Sequence, residues 1–278
     1  MNQPRGQIVK ASDARGHAET LMNQNHLKLQ AVLPKHLGFE RMAIMVTKTM
    51  VQVPKLCECS PASLLGAVMQ ACQLGLEIDN GLGHAYILPY YNSKAKRLEA
   101  TFIAGYKGYI DLAWRSGKVK SIRAKAVYKG DIFDYEDGLE PILKHKPLVD
   151  PDPVNLTHTY AIIELVNGGR QHEVLRRSEI DLIKALSRAN SGPWVTHYAE
   201  MAKKTALRKM LKYAPLSAEI AKVVALDEMA DGNIDQGLDA GWVAVAGEQD
   251  PIEATVIPEE SIEKEPDFDG FDNLGGEK

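Results

Sequence analysis

"HAYILPYYNSKAKRLEATFIAGYKGYIDLAWRSGKV", His84 to Val119, is the stretch that decides the fold. Its first half holds two short runs of β-branched and aromatic residues, "HAYILPYY" and "LEATFIAGY", on either side of the polar "NSKAKR". That arrangement predicts a β-hairpin. The second half, "KGYIDLAWRSG", predicts a helix stopped at Gly117.

Working outward, the N-terminal side reads as helical. "HAETLMNQNHLKLQAVLP" and "FERMAIMVTKTMVQVP" repeat apolar residues at spacings of three and four and end at prolines. Ser60 is the expected N-cap of a third helix, "ASLLGAVMQACQLGL", with Pro61 in its first turn and Gly75 near its end. On the C-terminal side, "KVKSIRAKAVYKGDIFDYEDG" alternates like a strand and turns at Lys129–Gly130. "NLTHTYAIIEL" and "RQHEVLR" flank "VNGG", a hairpin turn in which Asn-Gly supplies the positive φ. "SEIDLIKALSRA" predicts a helix from Ser178, with Asp181 in the capping-box position. A basic helix and "LSAEIAKVVALDEMA" close the ordered part. The order is helices, a small antiparallel sheet with one inserted helix, then helices, which is an α+β fold. Residues 1–60 read as an N-terminal helical segment suited to oligomerisation, 61–231 as the α+β core, and 232–278 as an acidic, disordered tail.

Charge divides along the same line. The chain has a formal net charge of -4, yet residues 1–226 carry 31 Lys or Arg against 21 Asp or Glu. Residues 227–278 carry 16 acidic residues and 2 Lys. A basic body invites a polyanion, nucleic acid first and a membrane surface second. The basic helix, "AEMAKKTALRKMLKYAP" (Ala199–Pro215), places Lys204, Arg208 and Lys212 in a stripe about 80° wide, flanked by Lys203 and Lys209. With Glu200 the sole acidic neighbour in the segment, the stripe is expected to face an anion. A second basic group comprises Lys107, Arg115, Lys118, Lys120, Arg123, Lys125 and Lys129, the last three on one strand face. Ten of the chain's 18 aromatic residues fall between Tyr86 and Tyr135. Rings that stack on bases beside cations that hold phosphates suit single-stranded nucleic acid. The candidate stacking rings are Tyr90, Tyr106, Tyr109, Trp114 and Trp194, while Tyr86, Phe102, Tyr128 and Phe133 read as sheet core.

Other chemistries find little support. "GLGHAY" lacks the third glycine of a dinucleotide fingerprint, and "WRSGKV" lacks the rest of a phosphate loop, so ATP-driven strand exchange is disfavoured and no cofactor is expected. Cys57, Cys59, Cys72 and His84 have the wrong spacing for a zinc finger, and no metal site is expected. Three cysteines form no disulfide framework and fit a reducing cytoplasm. Asp131 and Asp134 would serve a nuclease if they held a metal, but they read as a turn. No apolar run is long enough to span a membrane, the N-terminus lacks a signal-peptide core, and the basic helix has a single aromatic, Tyr213.

Four blocks, "LGLEIDNGLGHAYILPYYN", "FIAGYKGYIDLAWRSGKV", "AVYKGDIFDYEDG" and "EMAKKTALRKMLKYAPLS", occur in an order that resembles the RecT family of phage-type recombinases, over roughly Leu21 to Asp227. The resemblance implies an ATP-independent protein that binds single-stranded DNA and anneals it. It also implies a ring or helical filament of identical subunits, a 5′→3′ exonuclease partner, and a core related to the Red-beta and Rad52-type annealers. A phage or prophage protein acting in the bacterial cytoplasm is implied as well. Position by position, Lys107 and Arg115 fall in one block, and Lys203, Lys204, Arg208, Lys209 and Lys212 in another, both expected to line a DNA groove. The rival reading is a passive coating protein that binds single strands without pairing them. The tail admits three roles: a solvating end, a competitor for the groove, or a dock for a host single-strand-binding protein, whose acidic Phe-bearing tail "DFDGFDNL" resembles.

Overall fold

A computed structural model describes residues 11–237, apart from 79–80, 82, 149, 187–191, 215–216, 233 and 235. The expected disordered tail falls almost wholly outside the described residues.

The N-terminal helices form because each carries one apolar stripe. The first expected helix divides at Asn25 into α1 (Ala11–Gln24) and α2 (His26–Val32). α3 (Phe39–Gln52) buries Met42, Met45, Val46, Thr49 and Met50, a 3–4 repeat, against its neighbours. α4 (Pro61–Leu74) starts as expected: the Ser60 hydroxyl oxygen accepts the Ser63 N–H, with Pro61 in the first turn. It ends at Gly75, whose φ of +60° is left-handed. A Cβ at Gly75 would sit 2.7 Å from Pro34 and 2.8 Å from His36, so the residue is constrained by space as well as by backbone angle.

The hairpin of the opening stretch is present as β1 (Ala85–Asn92) and β2 (Arg97–Ala104), in register from Ala85 opposite Ala104 to Asn92 opposite Arg97. The outer edge of β2 is closed residue by residue. The Leu98 carbonyl accepts the Ser60 N–H, and the Ala100 N–H donates to the Ser63 hydroxyl. The Gln236 side-chain amide takes both peptide groups of Phe102, at 3.1 and 2.8 Å. α5 (Tyr106–Arg115) follows, and Gly117 at φ +69° ends it. Its first turn crosses the loop before β1 backbone to backbone. A Cβ at Gly105 would lie 2.0 Å from the Gly83 carbonyl oxygen, and one at Gly108 2.2 Å from that of His84.

β3 (Val119–Tyr128), β6 (Leu156–Leu165) and β7 (Arg170–Arg176) make a three-stranded antiparallel sheet in the order β3-β6-β7. The expected single sheet is therefore three separate ladders, because β4 (Ile132–Glu136) and β5 (Ile142–Lys146) pair only with each other. That hairpin folds over one face of the sheet, where Phe133 stacks on Tyr160 with ring centroids 5.7 Å apart. At the turn after β6 only Gly168 has positive φ, +85°, and Asn167 does not.

α6 (Arg177–Leu186) begins one residue before the expected Ser178. Glu179, not Asp181, accepts the exposed Arg176 N–H. Asp181 is occupied by the Tyr198 hydroxyl and the Arg177 guanidinium. After α7 (Pro193–Thr196), α8 (Tyr198–Tyr213) lies across the other face of the sheet, with the Thr159 hydroxyl donating to the Ala202 carbonyl. α9 (Ala218–Asp231), capped by Ser217, packs on α8, α5 and β2 and so ties the two halves together. The buried core runs without a break from Ala18 to Leu226. The architecture is α+β: helices packed on small antiparallel sheets. No described helix is long and apolar enough to cross a membrane.

Candidate nucleic-acid interface

The basic stripe of α8 has a protein partner. Lys204 pairs with Asp227 at 2.9 Å, Arg208 with Asp227 at 3.1 Å and with Asp231, and Lys212 with Glu228. Asp227 is 1% exposed and Arg208 9%. Burial disfavours the Arg208 charge, but the Asp227 and Asp231 carboxylates outweigh it and raise its pKa, so the guanidinium stays charged inside the protein. The sequence offers the stripe Glu200 as its sole acidic neighbour and assigns it to DNA; in the fold it meets a row of carboxylates on α9 instead. In the sequence those residues lie at the end of the expected core, with nothing to mark them as partners of the stripe. Burial, with Asp227 beside it, also pushes the Tyr109 phenol up.

A trough with lysines on its lining opens elsewhere, over β3, which is an edge strand of its sheet. On the side of the β4–β5 hairpin lies a cavity of 410 Å³ lined by Lys125, Tyr128, Asp131, His145, Tyr160 and Lys203. A smaller cavity of 120 Å³ sits at the junction of α5, β3 and α8, lined by Tyr106, Ile110, Ala124, Glu200, Lys203, Lys204 and Leu207. Ala124 and Lys203 line both, so the two are neighbouring parts of one trough. Beneath the larger part, His145 lies 3.1 Å from the Tyr160 hydroxyl and 3.2 Å from Asp131. Asp131 also accepts the Tyr128 and Leu148 N–H groups, closing the turn between β3 and β4 as the sequence suggested.

The predicted site residues divide by position. Lys125 and Lys203 line the trough, Tyr106 stands at its mouth 39% exposed, and Lys107 is exposed beside it on the first turn of α5. Arg123 is exposed one pleat from Lys125 and close enough to Tyr160 to act on its hydroxyl. The Lys204 stem forms part of a wall while its ammonium is held by Asp227. Arg208 is buried, and Lys209 reaches Glu173 at 3.9 Å. Arg115 pairs with Asp111 and donates to the Leu74 carbonyl at the end of α4, which makes it a tie between helices. Lys118 is exposed at the far end of β3, and Lys120 pairs with Glu164. Lys129 lies past the end of β3, so it does not share a strand face with Arg123 and Lys125.

Among the rings, Tyr90 and Trp114 are exposed but lie off the trough lining. Tyr109, fully buried on the inner face of α5, and Trp194, packed edge-on against Tyr198, are core residues with no face open to a base. The sequence reading missed Tyr160, His145 and Glu200 as trough residues. Tyr128, assigned to the core, is half-buried and lines it. The signal available was the alternation of β6, which puts Tyr160 opposite Lys125.

No group of three or more His, Cys, Asp or Glu suited to a metal occurs among the described residues. Burial pushes the Cys59 and Cys72 thiols up to about 12, as expected of inert packing cysteines.

Comparison with known proteins bears on the same segment. The model of the RecT family matches residues 40–239. Protein RecT of Escherichia coli (strain K12) is 42% identical over 240 residues, covering 84% of this chain and 89% of that protein. The uncharacterized protein YqaK of Bacillus subtilis (strain 168) is 32% identical over 176 residues, 63% of this chain and 59% of that one. With both the match to the family model and the long alignment to Protein RecT spanning the trough, the chain belongs to the RecT family.

Proposed function

We propose that the protein anneals complementary single strands of DNA in recombination, without ATP and without making or breaking bonds. The observation that carries this reading is the trough over β3, where Lys125 and Lys203 meet the Tyr106 ring beside Lys107 and Arg123, in a chain of the RecT family.

The physics is that of counterion exchange. Two strands repel, and cations that replace condensed counterions on the first lower the cost of bringing up the second. Recognition goes to the backbone, because the incoming strand reads the sequence. Lys107, Arg123, Lys125 and Lys203 hold phosphates in this reading. The Lys204–Arg208–Lys212 stripe instead fastens α9 to the body. Copies of the chain act together as a ring or helical filament, so that modest sites add along a strand and the annealed duplex is retained. Residues 1–60 supply contacts between copies, 61–231 bind and pair DNA, and 232–278 meet a host single-strand-binding protein or compete for the trough. A 5′→3′ exonuclease supplies the single strand, and the setting is the bacterial cytoplasm, from a phage or prophage.

The test mixes the protein with a dye-labelled strand and then its quencher-labelled complement, without ATP. Quenching faster than the protein-free rate, with strands intact on a gel, is the expected result. Binding without acceleration means a coating protein, and shortened strands mean a nuclease.

A further inference from the structure

The smaller part of the trough differs in kind from the larger. Its floor is apolar, made by Ile110 of α5, Ala124 of β3 and Leu207 of α8, and the Tyr106 ring stands at its rim. Its charged lining residues are Lys203, Lys204 and Glu200. Lys204 is neutralised by Asp227, and Lys203 is paired with Glu200. A phosphate alone has no use for an apolar floor, and an apolar side chain would have no use for the ionic groups beside it. A nucleotide has use for both, since its base is a flat apolar plate with a polar edge and its phosphate is an anion.

We propose that this niche holds one nucleobase of the bound strand. The base slides between the Tyr106 ring and the Ala124–Leu207 floor, its phosphate draws Lys203 away from Glu200, and the freed Glu200 carboxylate accepts an N–H from the base edge. Thymine N3–H and the amino groups of the other bases all serve, so the niche is tolerant of sequence. Each subunit thus parks a base and sets the register of the strand while neighbouring bases stay open to the complement. The proposal rests on the single-strand reading above and adds that the protein grips a base as well as phosphates.

The experiment compares a labelled oligothymidylate with the same strand made wholly of abasic residues, binding full-length protein by anisotropy across a salt series. A stacked base contributes enough for the intact strand to bind at least about tenfold more tightly, at a similar salt slope. In Tyr106→Ala, at a partly exposed position, and in Ala124→Leu, which fills the niche, that ratio is expected to fall toward one, with the melting temperature of each variant measured alongside. If Ala124→Leu fails to melt cooperatively, Tyr106→Ala decides alone. Equal binding of the two strands by the unaltered protein overturns the niche and leaves the single-strand reading standing. A ratio that survives both substitutions overturns it as well, because the base is then held elsewhere. Binding of neither strand overturns both readings.

Discussion

The two sides of α8 carry the same residue types and do different things. On one side Lys204, Arg208 and Lys212 meet Asp227, Glu228 and Asp231 of α9, and the row of ion pairs is partly closed off from water. On the other, Lys203 reaches only Glu200 and faces a trough that continues to Lys125. The first side is cationic by composition and neutral in the fold, whereas on the second Lys203 shares its carboxylate with no other cation among the described residues and opens toward the exposed Lys125, Arg123 and Lys107. Basic residues indicate a polyanion site only after the carboxylates packed against them have been subtracted.

The sharpest way to break this comparison is to remove the buried carboxylate. Asp227→Ala takes the buried carboxylate from Lys204 and Arg208 and leaves the buried guanidinium with Asp231 alone, and is expected to lower unfolding free energy by about 3 kcal/mol in urea titration. A loss below about 1 kcal/mol would mean that the row is solvated. Next in size is Gly108→Ala, which drives a methyl group into the His84 carbonyl. A loss of about 1–3 kcal/mol is expected, with α5 displaced.

Lys125→Ala with Lys203→Ala is the complementary break. It is expected to flatten the dependence of single-strand affinity on log salt by about 1.4 while leaving the melting temperature unchanged. The reverse pattern, lost stability with an intact salt slope, would exchange the roles of the two sides.

An alkaline titration sharpens the picture of the core. Cys59 and Cys72 have folded values near 12 against 9.0 when free, and the Tyr109 phenol is raised as well. The folded state therefore holds protons that the unfolded state gives up. This contribution is complete below pH 9 and lost as pH rises toward about 12, so the melting temperature is expected to fall steadily over that range. The smallest effect belongs to Lys212→Ala. Its partner Glu228 is half-exposed like itself, and the loss is expected to be about 0.2–1 kcal/mol, reduced further by salt.

What the sequence shows is mostly local. Ser60, Pro61 and Gly75 bound α4, and Gly117 ends α5, because caps and left-handed positions depend on a few adjacent residues. The two-residue period of β1 and β2 and the glycines of "AGYKGY" are equally plain. The site was harder to see, since its key relation joins residues about twenty positions apart. Nothing in the sequence pairs Asp227, Glu228 and Asp231 with the stripe until α9 folds back along α8. The same limit applies to rings: Tyr106 and Tyr109 stand three apart in one motif, yet one is at the trough mouth and the other is fully buried. Helical phase alone does not say which side of α5 the sheet will cover. Nor does alternation along β3 say that β6, not β4, lies beside it.

The amide of Gln236 on Phe102 has a consequence for how the molecule fails. A hairpin with one bare edge is a template for the same hairpin in another molecule, and heated or concentrated protein then sticks strand to strand. Here Ser60, Ser63 and Gln236 occupy that edge at Leu98, Ala100 and Phe102. Two of these plugs sit at the start of a buried helix, and the third hangs from the chain just beyond α9. The order of loss on heating is therefore set by the weakest plug. Gln236→Ala, which bares the peptide groups of Phe102, is expected to lower the temperature at which light scattering appears.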